Sequence, residues 1–263
     1  MSAPIAPSQP SERVENLARL LARSRTTGAS AALAALEPDL QPADMEEAYA
    51  VQQATLRALG TTCAAWKIGA KSADGPVQGA ALPATTLYRS GAALQREPFG
   101  KLGLELEIAF MFRQRFEPAH GPYTEEVVLG AIESMHAAIE IVTSRFAAWP
   151  NVDKLWQLAD LQNHGALIVG DGVPYDARFP FVSPDMRFTF EAENAIVGMA
   201  ANPAGDPRRL LTWLVNHHVA HGLTLEPGCV VTCGSYTGMY FPKATGAALG
   251  QINGLPPVKL ALV

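Results

Sequence analysis

The chain has 263 residues, 48% hydrophobic and 17% charged, and 20 Lys and Arg against 25 Asp and Glu leave a formal charge of −5. With a mean hydropathy of +0.08, this composition excludes disorder as the main state and gives one large domain or two small ones enough apolar surface for a core. No basic run tracks a phosphate backbone and no apolar stretch approaches the roughly 18 residues of a membrane span, so neither nucleic acid nor a membrane is expected as a partner.

The first residues, MSAPIAPSQP, have neither the basic start nor the apolar run of a secretory signal and read as a frayed Pro/Ser-rich arm. Residues 1–60 form the expected helical N-terminal segment. SERVENLARLLARS opens on a Ser with acidic neighbours and carries leucines at helical spacing. ADMEEAYAVQQATLRALG puts Met45, Tyr49, Gln52, Leu56 and Leu59 on one stripe and stops at Gly60. After Gly60 the period changes. CAAWKIG, LGLELEIAFMF, HAAIEIVTS, GALIVG, MRFTFEAE, AIVGMAA and CVVTCG are short β-rich runs between Gly and Pro turns, with Asp74-Gly75 and Asn253-Gly254 as hairpin signals. One late helix is marked by Asp206 as N-cap, Pro207 in the first turn, Leu210, Leu211 and Leu214 inside, and Gly222 past its end.

Strands do not alternate regularly with helices, which argues against a doubly wound sheet. The expected fold class is α+β, with a catalytic β body over residues 61–263. Of the three cysteines, Cys229 and Cys233 would stand about 13 Å apart on one face of a strand, too far to bridge, and Cys63 has no C-x-x-C partner. A reduced, cytoplasmic protein is expected.

Chemistry concentrates in LGLELEIAFMF. As a strand, it turns Leu102, Leu104, Leu106, Ile108, Phe110 and Phe112 to one face and Glu105 and Glu107 to the other. Their α-carbons then lie about 6.5–7 Å apart, with no Lys or Arg in the strand to neutralise them. Such a pair either faces water or shares a proton or a cation. Glu140, alone among Ala138, Ile139, Ile141 and Val142, is costly to bury without a partner. Glu105, Glu107 and Glu140 together would make an all-oxygen site that suits Mg²⁺ or Mn²⁺ and not zinc. Lys67, in WKIG, is either a snorkelling surface residue or a group that holds a carboxylate or moves a proton. His217 and His221 share a helix face, but HHVAH lacks the Glu of H-E-x-x-H, so packing or surface roles are expected for these histidines.

AYAVQ at 48–52, WKIG at 66–69, LELEIAF at 104–110, AIEIVTSR at 138–145, AD at 159–160 and CGSYTG at 233–238 occur in that order. Together they resemble the 2-keto-4-pentenoate hydratase and 4-oxalocrotonate decarboxylase family of the fumarylacetoacetate hydrolase superfamily, from about residue 45 to the end. The resemblance implies a mixed β-roll of the fumarylacetoacetate hydrolase type preceded by helices, assembled as a homo-oligomer, with Mg²⁺ or Mn²⁺ on Glu105, Glu107 and Glu140. It implies a small 2-oxo acid substrate, as in aromatic compound catabolism, and first a hydratase that adds water to a 2-hydroxy-2,4-dienoate to give a 4-hydroxy-2-oxo acid. The same site would serve a decarboxylase or an acylpyruvate-type hydrolase, or a protein that only binds 2-oxo acids. Lys67 would transfer a proton or pair with the substrate, and Asp160 would position water or support Lys67. Gly234, Ser235 and His164 would contact the substrate. The chain departs from the family pattern at Leu161, His164 and Cys233, which puts the exact substrate in question.

Overall fold

The computed structural model describes residues 11–29, 32–34 and 37–263; the frayed arm expected over residues 1–10 lies outside the described residues. Two helices come first, each begun by a side-chain cap. Ser11 Oγ accepts from Val14 N at 3.3 Å ahead of α1 (Glu12–Thr27), and Asp44 Oδ1 accepts from Glu47 N at 2.9 Å ahead of α2 (Met45–Ala58). Their apolar stripes, Val14, Leu17 and Leu21 on α1 and Tyr49, Val51 and Ala54 on α2, close on each other. Phe146, Trp156 and Leu158 join the same cluster, so the helices bury their apolar faces against the body of the chain.

Beyond residue 60 the chain is mostly strand: β1 (Cys63–Gly69), β2 (Gln78–Pro83), β3 (Leu87–Arg89), β4 (Ala92–Leu94), β5 (Leu102–Phe112), β6 (Ile132–Thr143), β7 (His164–Pro174), β8 (Met186–Phe190), β9 (Glu193–Asn194), β10 (Val230–Ser235), β11 (Gly246–Ile252) and β12 (Val258–Leu262). Three helices interrupt them, α3 (Glu125–Gly130), α4 (Lys154–Ala159) and α5 (Arg208–Ala220). A seven-stranded sheet has the order β2-β1-β10-β5-β6-β7-β3, antiparallel except for β1 with β10 and β3 with β7. A five-stranded sheet has the order β4-β12-β11-β8-β9. The chain passes from the first sheet to the second between β3 and β4, through Gly91 at φ +91°. The result is the expected α+β architecture, a mixed β body preceded by helices.

The six apolar residues predicted on one face of β5 all lie in the main core cluster. They meet the second sheet, and Gly250 on β11 is what allows the approach: a Cβ there would stand 2.4 Å from Leu106 Cδ1. The other face of β5 is left for Glu105 and Glu107.

Some boundaries differ from expectation. MRFTFEAE breaks at Glu191 and Ala192, which take φ +48° and +67° and turn β8 into β9. AIVGMAA is not a strand. Its backbone is used one bond at a time, Ala195 N to Phe188 O, Val197 N to Thr237 O and Ala201 N to Tyr236 O, and it leaves Val197 and Met199 exposed. Asp74-Gly75 lies inside a longer β1–β2 connection rather than a two-residue turn, while Asn253-Gly254 starts the β11–β12 connection with Gly254 at φ +91°. The late helix begins at Arg208, whose N–H donates to Asp206 Oδ1 at 3.0 Å. All three cysteines are free thiols, and among the described residues no helix is long and apolar enough to cross a membrane.

Leu106 is fully buried where the two sheets meet. Leu106→Ala is expected to cost about 2–5 kcal/mol of unfolding free energy, read from the urea midpoint at unchanged slope; a loss below about 1 kcal/mol would mean that the sheets do not close on this residue.

Candidate functional site

Strand register assembles the acidic site. Glu105 stands opposite Glu140 across β5 and β6, and Glu107 stands opposite Ser235 across β5 and β10. One oxygen from each of Glu105, Glu107 and Glu140 lies within 4.8 Å of the others. Among the described residues no other three His, Cys, Asp or Glu side chains come together in this way.

Different partners hold each carboxylate. Glu107 Oε2 accepts from the Thr232 hydroxyl and from Gly234 N at 3.0 Å. Gly234 reaches it because β10 shifts register between Thr232 and Ser235, and Gly234 itself takes φ +87°. Asn202 Nδ2 fixes that irregularity, donating to Cys233 O at 2.8 Å and Gly234 O at 3.3 Å. Glu140 Oε1 accepts from Lys67 Nζ at 2.8 Å and from His164 Nδ1 at 3.0 Å. Glu140 Oε2 is buried with no hydrogen-bond partner among the described residues. An orphaned carboxylate oxygen beside two further carboxylates is the donor set a hard divalent cation takes, and the residues fit Mg²⁺ or Mn²⁺.

The charges bear this out. Burial first, then the Glu107 and Glu140 charges, push Glu105 up to about 8 against the pull of Lys67. Burial and Glu140 push Glu107 up to about 7, although Lys67, Thr232 and Gly234 favour its ionised form. Burial also raises Glu140, with Lys67 opposing. For Lys67 burial works against the ammonium, but Glu140, Glu105 and Glu107 outweigh it and its pKa lies above the ordinary value.

Two predicted residues stand elsewhere than expected. His164 does not face the cavity; it is buried behind Glu140. Burial first, then the Lys67, Arg25 and Arg145 charges, hold its pKa well below the usual value. The Nδ1 of the ring faces Glu140 Oε1, and Nε2 lies 2.9 Å from Thr86 Oγ1, whose hydroxyl donates to Pro83 O at 2.8 Å. Asp160 neither bonds Lys67 nor lines the acidic cavity. Its Oδ1 accepts from Arg25 at 2.8 Å and Arg145 Nε at 2.8 Å, and its Oδ2 accepts from Arg145 N at 2.9 Å. Two guanidiniums at hydrogen-bond distance leave this buried carboxylate no role at the cavity wall.

Just after Asp160 the chain makes a left-handed turn. Leu161, Gln162 and Asn163 take φ +51°, +50° and +58°, which costs Leu161 and Gln162 roughly 1–2 kcal/mol each, while asparagine adopts this region more readily. The turn brings Gln162 O to Lys67 Nζ at 3.2 Å. Lys67, Glu105, Glu107, Ser235, Gly234 and Gln162 line a cavity of about 370 Å³, with Lys71 and Lys154 also in its wall. A second cavity, of about 210 Å³, lies between Arg25, Thr86 and Arg145, and no carboxylate lines it.

The histidines of α5 make no metal site. The His217 ring stacks on Trp213 at 4.7 Å, His221 Nε2 meets Glu46 Oε2 at 2.7 Å, and His218 is buried against Trp66. Thr232, Asn202, Arg25, Arg145 and Thr86 serve the site without having been singled out in the sequence. Arg145 alone had a signal, as the last residue of AIEIVTSR.

Neither a protein-family model nor a curated protein sequence matches the chain. Solved structures do. 4-Oxalocrotonate decarboxylase from Pseudomonas putida G7, in complex with magnesium and adipate, superposes with a TM-score of 0.82 over 96% of this chain and 98% of that one, at 18% identity. The chain has the fold of the fumarylacetoacetate hydrolase superfamily. Fumarylpyruvate hydrolase from Pseudomonas aeruginosa, in complex with Mn²⁺ and pyruvate, gives a TM-score of 0.58 over 76% of this chain and 88% of that one, at 14% identity. 5-Carboxymethyl-2-hydroxymuconate delta-isomerase from Mycobacterium smegmatis gives 0.56 over 76% and 79%, at 13% identity. At these identities the likeness concerns the fold.

Raised carboxyl values make the cation-free protein sensitive to pH. The folded protein keeps protons on Glu105 and Glu107 that the unfolded chain, near the ordinary value of 4.5, has already released. Stability is therefore expected to fall as pH rises from about 4.5 through about 8. Thermal melts in a chelating buffer between pH 5 and 9 check this, and a midpoint that climbs across that range would contradict it.

Proposed function

We propose that the protein is a divalent-cation-dependent enzyme acting on a small 2-oxo acid. The orphaned Glu140 Oε2 beside Glu105 and Glu107 carries the proposal. Solved structures with the same fold support it, since they hold magnesium, calcium or Mn²⁺, and one holds pyruvate. When bound by Glu105, Glu107 and Glu140, Mg²⁺ or Mn²⁺ would supply a Lewis acid for negative charge developing on the 2-oxo oxygen. Lys67, in the cavity wall with its Nζ 2.8 Å from Glu140 Oε1, donates a proton to the carbon that gains electron density. Ser235, in the cavity wall, orients the substrate, while Gly234 spends its N–H on Glu107.

Among the reactions this site suits, decarboxylation stands ahead of hydration. Adding water to a conjugated bond needs a base for the proton of water. Asp160 is spent on two arginines and His164 is shut behind Glu140. Loss of CO₂ from a second carboxylate conjugated with the 2-oxo group breaks one C–C bond, whose electron pair passes to the 2-oxo oxygen and then takes a proton at carbon; it needs only an acceptor for that charge and a proton donor, both of which the site provides. The full-length likeness to a decarboxylase supports the same order. Hydration of a 2-hydroxy-2,4-dienoate rests on the ordered sequence motifs, and CO₂ release measured beside loss of the dienol absorbance separates the two.

The proposal is tested by thermal melts with Mg²⁺ or Mn²⁺, with and without oxalate, a mimic of the 2-oxo acid head. Oxalate at 100 times its Kd is expected to add about 2.7 kcal/mol, only with the cation present, and Glu107→Gln or Glu140→Gln is expected to abolish the shift. No cation-dependent shift in the unaltered protein would leave the three glutamates without this function.

His164 should matter through Glu140 alone. His164→Leu is expected to weaken Mn²⁺ binding roughly 10–100-fold, and His164→Asn, which keeps a donor near the Nδ1 position, to recover most of it. Calorimetric titration with Mn²⁺ reads both, and equal weakening by the two variants would contradict the hydrogen-bond role.

A further inference from the structure

Arg25 and Arg145 together carry more positive charge than their surroundings cancel. Each side chain is only 8% exposed, and both bond the same carboxylate, that of Asp160. Two buried positive charges therefore meet one negative charge, and burial makes such a surplus costly. Arg25 registers the shortfall twice. Burial and the charge of Arg145 pull its pKa down to about 9 against Asp160, and its Nε is enclosed without a hydrogen-bond partner.

Both arginines line the second cavity, of about 210 Å³. It lies behind the acidic site, with Thr86 in its wall 2.9 Å from His164 Nε2. Arg145 spends Nε on Asp160 and Nη2 on Thr143 O. Its Nη1 makes no hydrogen bond among the described residues and is not enclosed, so this is the edge that Arg145 offers in the cavity wall. Leu59, Pro83, Pro98 and Phe99 add apolar surface to the same wall. No residue lines both this cavity and the acidic one.

We propose that the second cavity binds a monocarboxylate with a short apolar body, its carboxylate against the guanidinium of Arg145 and its body against Leu59, Pro83, Pro98 and Phe99. A guanidinium N–H is a charge-assisted donor to a carboxylate. One negative charge balances the surplus, whereas the two charges of a sulfate would reverse it. The apolar wall stabilises a hydrocarbon body and gives nothing to a bare oxyanion. The inference is independent of the function proposed for the acidic cavity.

Substituting either arginine would leave Asp160 short of a partner and endanger the fold, so the test keeps both. The full protein is titrated by calorimetry with benzoate, with benzamide, its uncharged counterpart, and with sulfate. Benzoate is expected to saturate one site per chain with a Kd below about 1 mM, and benzamide and sulfate to bind at least about tenfold more weakly. Thr85→Glu and Ala32→Glu each bring a carboxylate to the cavity wall. Both are expected to weaken benzoate at least about tenfold. Lys154→Ala, in the wall of the acidic cavity, is expected to leave benzoate affinity within about twofold.

Benzoate that fails to saturate the protein by about 10 mM overturns the inference. So does benzamide or sulfate binding as tightly as benzoate, or benzoate affinity unchanged in both glutamate variants. A tenfold loss in Lys154→Ala also overturns it, because the ligand would then sit in the acidic cavity.

Discussion

Three carboxylates enclosed in one sheet repel one another, and the rest of the site is arranged around that repulsion. At separations within 4.8 Å, each ionised pair opposes folding on the order of 3 kcal/mol at an effective dielectric constant of about 20. One ammonium, Lys67, offsets part of this at Glu140, and Thr232, Gly234 and His164 donate to single oxygens. The supply is unequal. Glu107 and Glu140 are braced by neighbouring strands, while Glu140 Oε2 is left bare. The cation proposed for this site would relieve that defect, and without one burial favours the protonated forms of Glu105 and Glu107.

Much of this was legible in the sequence because a strand alternates with period two. The repeat of Leu102, Leu104, Leu106, Ile108, Phe110 and Phe112 put Glu105 and Glu107 on the opposite face before any coordinate was known, and the β5 limits agree residue for residue. Glu140 was recognisable as a charge in an apolar run. Its pairing with Glu105 was not, since register across two strands depends on the whole sheet. Asp160 and His164 show the limit more sharply. Residue type marked both as chemical groups, but their roles depend on Arg25 and Arg145, distant in sequence, and on Glu140 in front of the imidazole. Likewise AIVGMAA has the composition of a strand and no neighbour to pair with.

The site also draws on more of the chain than its ordered motifs suggest. Arg25 comes from the last turn of α1, yet it bonds both Asp160 and the carbonyl of His164. The N-terminal helices therefore do more than cover an apolar face: they fix the backbone that leads into β7. Asn202, in the irregular segment after β9, does the same for the bend in β10.

The position of β10 between β1 and β5 has a consequence for synthesis. Glu105, Glu107 and Glu140 leave the ribosome well before Thr232 and Gly234, and at usual elongation rates the interval is on the order of ten seconds. Through that time β5 and β6 can pair as a hairpin, with Glu107 lacking both of its donors and the opposite edge of β5 open. An open edge with a continuous apolar face is a target for other nascent strands and for holdase chaperones.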